Sequence, residues 1–109
     1  MNGNVDGPER VRALIGADPR IEEKKMFGGV VFLLHGYMLV GIWQTSLIVR
    51  LGPDQAAIAL QQPHVGPFDV KGRPMKGWIM VDPDGLETDS QLSAWLDQAS
   101  TFVSTFPPK

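Results

Sequence analysis

The residues of this chain that are suited to chemistry are mostly basic, and they fall into two groups. They are Lys24, Lys25 and Arg50 in segments typical of β-strands, and Lys71, Arg73 and Lys76 in one loop. If a sheet brings the groups together, they form a patch for an anion or an acidic partner. A solvated face is the plainer alternative. We predict Lys24, Lys25, Arg73 and Lys76 as the partner-contacting residues.

Other reactive patterns are missing from the sequence. There is no cysteine, which excludes disulfides, thiolate chemistry and Cys-ligated zinc. His35 and His64 have no companion at ligand spacing, so we interpret them as exposed loop residues. The carboxylate pair Glu22-Glu23 lies in a charged run without an apolar pocket to raise a pKa. We therefore predict no catalytic residue, metal or cofactor, and no enzyme.

Length and charge narrow the class of protein. The 109 residues, 43% hydrophobic and 20% charged, predict one folded domain spanning 1–109. The net charge of −2 argues against a stand-alone DNA binder, because such binding relies on neutralising phosphates. No apolar run reaches the ~20 residues of a membrane span, and the polar start lacks the order of a signal peptide. We expect a cytoplasmic protein.

The densest apolar stretch runs from Lys24 to Trp43 and predicts a β-hairpin. Two runs of β-branched and aromatic residues flank His35-Gly36. Gly36 can adopt the positive φ of a primed turn, and His35 is among the less penalised residues there.

The strands of this hairpin are apolar on both faces. A two-layer fold covers one face with helices, and the other face should then alternate to polar residues. The pattern leaves two explanations open. Either the sheet curls and covers itself with help from a third helix, or a second chain covers it as a homodimer.

Capping signals place the helices. Asp6 and Glu9 predict the start of a first helix, in which Val11, Leu14 and Ile15 form one apolar stripe. Gly52-Pro53 opens a second helix. Thr88 and Gln91 form a capping box for the last one. Its stripe is the clearest in the chain and comprises Leu92, Trp95, Leu96, Ala99, Val103 and Phe106.

These signals predict an α+β fold. The element order is α-β-β-β-β-α-β-β-α, in two layers with a mostly antiparallel sheet. We place an edge strand near Lys24–Phe27, a turn or bulge at Gly28-Gly29, and a short strand at Phe68–Val70. A basic loop then spans Lys71–Gly77, before a final strand at Trp78–Val81.

Several motifs in order resemble the N-terminal domain of the TfoX/Sxy family. They are Glu23–Gly29 with its MFGG stretch, Phe32, His35-Gly36, Leu47–Arg50, Gly52-Pro53, Pro67-Phe68, Arg73–Trp78, Asp82-Pro83 and Leu92–Trp95. The resemblance covers nearly the whole chain. It implies a two-layer α/β domain around an antiparallel sheet, which agrees with the order above.

The resemblance also implies a kind of function. Named members of the family are competence regulators that promote transcription with the cyclic-AMP receptor protein, and they are not enzymes. They carry a second, C-terminal domain, whereas this sequence reads as a stand-alone single-domain member. The family supplies no catalytic residues to transfer to this chain.

Three hypotheses therefore stand. The favoured one is a non-catalytic protein-interaction module, accessory to transcription. The second is a small anionic-ligand binder or unrecognised enzyme with a site near Gly28-Gly29 and Arg73–Lys76. The third, direct nucleic-acid binding, needs a contiguous basic stripe despite the net charge.

Overall fold

In the part of the chain that the structure describes, three helices and six strands follow one another in the predicted order. The structure, a computed structural model, describes residues 8–15, 19–26, 29–43, 46–70 and 72–107. The elements are α1 (Pro8–Ile15), β1 (Ile21–Met26), β2 (Gly29–Leu34), β3 (Tyr37–Trp43), β4 (Ser46–Arg50), α2 (Pro53–Ala59), β5 (Val65–Val70), β6 (Arg73–Val81), a 3₁₀ turn (Pro83–Leu86) and α3 (Asp89–Val103). The α+β class and the element order are confirmed.

All six strands belong to one antiparallel sheet in the order β1-β2-β3-β4-β6-β5. The first four strands are a meander. After α2, the chain returns as the β5–β6 hairpin, and β6 rather than β5 pairs with β4. This leaves β1 at one edge, as predicted, and β5 at the other.

The β2–β3 hairpin turns at His35-Gly36 as the sequence predicts. Both residues have positive φ, +53° and +85°, which is the signature of a type I′ turn. Its twist matches the right-handed twist of the flanking strands, so Leu34 pairs directly with Tyr37.

One face of the sheet packs against the helices. Neighbouring strands place Phe32, Val40, Val49 and Ile79 side by side in a single row. These side chains are almost fully buried in one cluster with residues from all three helices. The α3 residues of the predicted stripe are buried or packed against this cluster, and Trp95, only 6% exposed, is a core residue. Phe106, predicted as part of the same stripe, packs against the cluster from beyond the end of α3.

The capping box of α3 is also confirmed. The Thr88 side chain accepts a hydrogen bond from the Gln91 backbone N–H at 3.1 Å, and the Gln91 side chain accepts one from the Thr88 N–H at 2.9 Å. In α1, Val11 is buried while Leu14 and Ile15 pack against the core. The proposed N-cap, Asp6, lies outside the described residues.

A β-bulge interrupts β3. Phe32 pairs with Val40 but Leu33 pairs with Met38, which leaves Leu39 as the extra residue. Consecutive residues of a regular strand point to opposite faces, yet Leu39 and Val40 are both buried in the helix-side cluster. The bulge is what allows this.

Three predicted boundaries were wrong. β1 begins at Ile21 rather than near Lys24, and β5 begins at Val65 rather than Phe68. The predicted basic loop is mostly strand, because β6 begins at Arg73. The turn-forming residues of this segment predicted a loop, whereas it belongs to the β5–β6 hairpin. Contacts distant in sequence hold it there, because the Gly77 carbonyl accepts hydrogen bonds from the backbone N–H groups of Leu51 and Gly52. Lys71 and Gly28 lie outside the described residues.

Candidate functional site

The sheet face that points away from the helix-side cluster is the main candidate surface. One row crosses all six strands in register on this face: Lys24, Val31, Gly41, Ile48, Met80 and Gly66. Leu33 and Met38 form a pair beside it. We call these eight residues the open face. Apart from Lys24 and the two glycines, every one of them is apolar.

No helix in the described part of the chain supplies a cover for the open face. None of its residues belongs to the helix-side cluster or packs against it. Val31 and Ile48 are nevertheless only 5% and 6% exposed. The accessible apolar part of the open face is therefore its half-buried residues, Leu33, Met38 and Met80.

Met38 fills the hollow above Gly41. A Cβ atom built on Gly41 would lie 2.9 Å from the Met38 Cε and 3.3 Å from the Val31 Cγ1. The thioether is therefore folded over the centre of the open face. Methionine side chains are flexible and polarizable, which suits a surface that must adapt to a partner.

The rim of the open face along β1 carries both signs of charge. Glu22 pairs with Leu33, and Lys24 pairs with Val31, so both residues belong to this side of the sheet. The Lys24 Nζ lies 3.8 Å from a Glu22 carboxylate oxygen. The two charges offset each other at the rim.

The structure does not bring the four predicted partner-contacting residues together. Lys24 and Lys25 are exposed on β1, while Lys76 is exposed on β6 and Arg73 is the first residue of that strand. Three strands separate β1 from β6, which corresponds to roughly 19 Å at ~4.8 Å per strand. Any partner contact through these residues therefore involves two separate basic groups.

Arg50, the remaining strand cation, is held by aromatic rings. Its guanidinium carbon lies 5.2 Å from the centre of the Trp78 ring and 5.0 Å from that of Phe106. Both distances suit cation–π attraction. The side chain joins the β5–β6 hairpin to the segment after α3, and the Tyr37 hydroxyl donates to the Pro107 carbonyl at 2.8 Å in the same region.

Glu23 takes part in an ion pair with α1. The Arg12 guanidinium donates two hydrogen bonds to this carboxylate, at 2.5 and 2.7 Å. These bonds hold the pKa of Glu23 below its ordinary value and raise that of Arg12. The interaction fixes α1 to the edge strand, and gives Glu23 a structural partner.

The site predicted for an anionic ligand is not assembled. Gly29, at the start of β2, is separated from Arg73–Lys76 by β3 and β4. A cavity of about 240 Å³ lies elsewhere, between the end of α2 and α3. It is lined by Gln62, His64, Gln91 and Gln98 around Val81 and Trp95. His35 and His64 are both exposed, as interpreted from the sequence.

The described residues contain neither a metal-binding cluster nor a membrane-spanning helix. They contain no group of three or more His, Cys, Asp or Glu side chains arranged to hold a metal ion. None of their helices is both long enough and apolar enough to cross a membrane.

The two-sided apolar pattern of the hairpin is visible in the sequence, but the packing of Arg50 against two aromatic rings is not. The cation–π stack joins residues 28 and 56 positions apart, and no local pattern signals such a contact. Once the strands are known, alternation is enough to place Val31, Gly41 and Ile48 on the same face. Met80 and Gly66 join this row only because β6 pairs with β4, which the sequence does not reveal.

Comparisons with known proteins agree with this architecture. The family model described as TfoX N-terminal domain matches residues 13–103. No curated protein matches the chain. A solved structure, that of Deinococcus radiodurans protein DR2400 with a DUF419 domain, superposes with a TM-score of 0.69 at 17% identity. The superposition covers 98% of this chain and 86% of that one, and it shows a shared fold.

Proposed function

The chain belongs to the TfoX N-terminal domain family, and from that premise we propose that it is a non-catalytic protein-interaction module, accessory to transcriptional regulation. The observation that carries the proposal is the open face: a packed apolar surface on a central sheet, with no helix over it in the described residues. Apolar patches on a protein surface mark contact sites, and the half-buried Leu33, Met38 and Met80 are the accessible apolar part of this one.

The transcriptional part of the proposal comes from the family. Its competence regulators promote transcription, and a chain with the same domain is suited to a related contact. Such a role places the protein in the cytoplasm. The net charge of −2 favours contact with another protein over direct contact with DNA.

Lys24, Lys25, Arg73 and Lys76 remain our proposed contacts for an acidic partner. Because three strands separate Lys24 and Lys25 on β1 from Arg73 and Lys76 on β6, each pair should be reversed separately. A partner that bridges both groups loses binding with either double reversal to Glu. A partner held by one group loses binding with only one reversal. Unchanged binding after all four reversals removes these residues from the interface.

Affinity capture from the native host tests the proposal directly. The bait variant Leu33→Glu places a charge on the open face, where the half-buried leucine meets Met38. The matched control is Ile58→Glu, because Ile58 is 56% exposed on α2 and lies away from this surface. We expect wild type and control to retain a transcription protein, identified by mass spectrometry, that Leu33→Glu loses.

Circular dichroism of the three baits must show the same fold. Retention of the same proteins by Leu33→Glu and wild type would contradict the proposed contact surface. Turnover of a metabolite by the purified chain, abolished by changing one polar side chain, would contradict its non-catalytic character.

The alternative of a small-ligand site has less support. Ligand pockets usually enclose ~300–1,000 Å³. The cavity beside α3, about 240 Å³, is smaller than this range and contains no charged side chain. We therefore do not propose a ligand for it.

A further inference from the structure

We infer that the open face binds the open face of a second copy of this chain, about a twofold axis parallel to the strands. The inference rests on the proposed function, because it names the occupant of the proposed contact surface. It follows from the order of residues in the row that crosses the sheet, from charge and from area.

A twofold axis between β3 and β4 reverses the strand order of the second sheet. β1 then faces β5 of the other copy, β2 faces β6, and β3 faces β4. The residues of the row meet in reverse order. Gly41 therefore faces Ile48 of the second copy, and by symmetry Ile48 faces the second Gly41.

This reversal places large side chains opposite small ones. Ile48, which is 6% exposed, lies directly opposite the hollow above the other Gly41, at two symmetric positions near the axis. Val31 meets Met80, and the long side chain of Lys24 meets Gly66, where a Cβ atom would have nothing within 4 Å. Facing sheets pack well when their side chains interdigitate in this way.

Met38 must move for the hollow to open. Its Cε is the atom nearest to the Cβ position of Gly41. It is the free end of a flexible side chain, so it can swing aside at small energetic cost. In a single copy the Met38 side chain covers Gly41. In a pair, its movement uncovers the hollow that lies opposite Ile48 of the second copy.

Charge does not oppose a second copy. On β1 the rim carries one acid and one base, with the Lys24 Nζ 3.8 Å from a Glu22 carboxylate oxygen. On β4, strand alternation puts Arg50 on the same face, where its guanidinium packs against the Trp78 and Phe106 rings. An excess of one positive charge at the rim is too small to attract a highly acidic partner or a nucleic acid strongly.

The size of the face sets the strength of the pair. Six strands at ~4.8 Å and about five residues at ~3.4 Å give a footprint of roughly 29 by 17 Å, or about 500 Å² per copy. Two copies bury about 1,000 Å², which is near the lower limit for a specific interface. We therefore expect a weak dimer, and micromolar concentrations are the range in which to look for it.

Sedimentation velocity over about 1–500 μM tests for this weak dimer. We expect the average mass of wild type to rise from one chain to two chains across the range. Met80→Glu, at a half-buried position of the row, should stay at the mass of one chain. Ile58→Glu on α2 should dimerise like wild type. A wild-type chain that remains single throughout overturns the inference.

A crosslinking experiment tests the axis, and it does not depend on a destabilising variant. The chain has no cysteine, so Lys24→Cys and Gly66→Cys each introduce a single thiol. Facing sheets lie ~10 Å apart, which is too far for a disulfide, so a bismaleimide of about that span is used. We expect crosslinked dimers only when both variants are mixed.

The control thiol, Ile58→Cys on α2, should not crosslink with either variant. Efficient crosslinking of Lys24→Cys to itself would overturn the axis proposed here, because the two β1 strands lie at opposite ends of the interface. Absence of crosslinks in the mixture at a concentration where wild type is dimeric would overturn it as well.

The outcomes separate this inference from the proposed function. A single-copy chain that captures a different protein through the open face overturns the inference and supports the proposed contact surface. A dimer that captures no transcription protein supports the inference and overturns the transcriptional part of the proposal.

Discussion

At the scale of single residues, Gly52 shows how backbone and packing combine. It precedes α2 with φ of +86°, and a Cβ atom there would lie 2.5 Å from the Phe102 ring. A side chain at this position therefore meets two penalties, one from the left-handed backbone and one from the aromatic ring. Gly72 has a similar φ of +79° with nothing within 4 Å, so it meets only the first.

Comparing the two glycines separates these penalties. Gly72→Ala should lower the free energy of unfolding by about 1–2 kcal/mol through the backbone alone. Gly52→Ala should lower it by about 2–4 kcal/mol, because φ of 86° with ψ of 160° is a conformation almost restricted to glycine and crowding against Phe102 adds to that backbone cost. Urea unfolding of both variants measures the difference. Equal losses would show that Phe102 moves aside freely.

The ion pair between Glu23 and Arg12 predicts a pH dependence. The pKa of Glu23 is lowered by its hydrogen bonds to Arg12, so the pair stabilises the fold at pH above the ordinary glutamate value of 4.5. This stability is lost as the pH falls through the lower folded-state value. Wild type should exceed Glu23→Gln in stability at pH 7, and the difference should shrink under acid.

Urea unfolding of wild type and Glu23→Gln across this pH range provides the measurement. Glu87→Gln, at an exposed position, is the matched control for the loss of one negative charge. A difference between wild type and Glu23→Gln that stays constant from neutral to acid pH would show that the ion pair does not contribute to stability.

At the scale of elements, the start of α3 depends on one side chain. Thr88 provides the capping hydrogen bond to the Gln91 N–H, and α3 carries much of the helix-side cluster. Thr88→Ala should cost about 1 kcal/mol. The control Thr101→Ala makes the same change at an exposed position inside α3 and should be neutral or slightly stabilising. Thermal unfolding distinguishes the two, and equal melting temperatures would contradict the cap.

The elements that could be predicted from the sequence are those with local signals. The α3 cap, the His35-Gly36 turn and the α3 stripe each depend on residues within a few positions of one another. The start of β6 could not be predicted, because Arg73–Gly77 has turn-like composition and its first residues gain their strand structure from pairing with the end of β5. Pairing between distant segments overrides local preference there.

The candidate site shows the same limit. Alternation in the β2–β3 hairpin revealed an apolar second face, because strand periodicity is local. The grouping of Lys24 and Lys25 with Arg73 and Lys76 depended on which strands are neighbours. The insertion of β3 and β4 between the two groups cannot be read from their spacing in the sequence.

At the scale of the whole molecule, the sheet order predicts where the fold opens first. β3 and β4 have a hydrogen-bonded strand on each side, whereas β1 and β5 have one neighbour each. Amide hydrogen exchange should be slowest in Leu39–Val40 and Leu47–Val49 and fastest among the strands in β1 and β5. Exchange in β1 as slow as in β4 would indicate that another chain protects this edge.

The extra residue in β3 has a consequence for the comparison of relatives. Leu39 is the extra residue between Met38, which pairs with Leu33, and Val40, which pairs with Phe32. Its removal would therefore leave every other residue of the strand on its present face of the sheet. A deletion elsewhere in Tyr37–Trp43 would move the side chains of part of the strand to the other face of the sheet. Alignments across this family should therefore tolerate a one-residue gap at this position of the strand and resist gaps on either side of it.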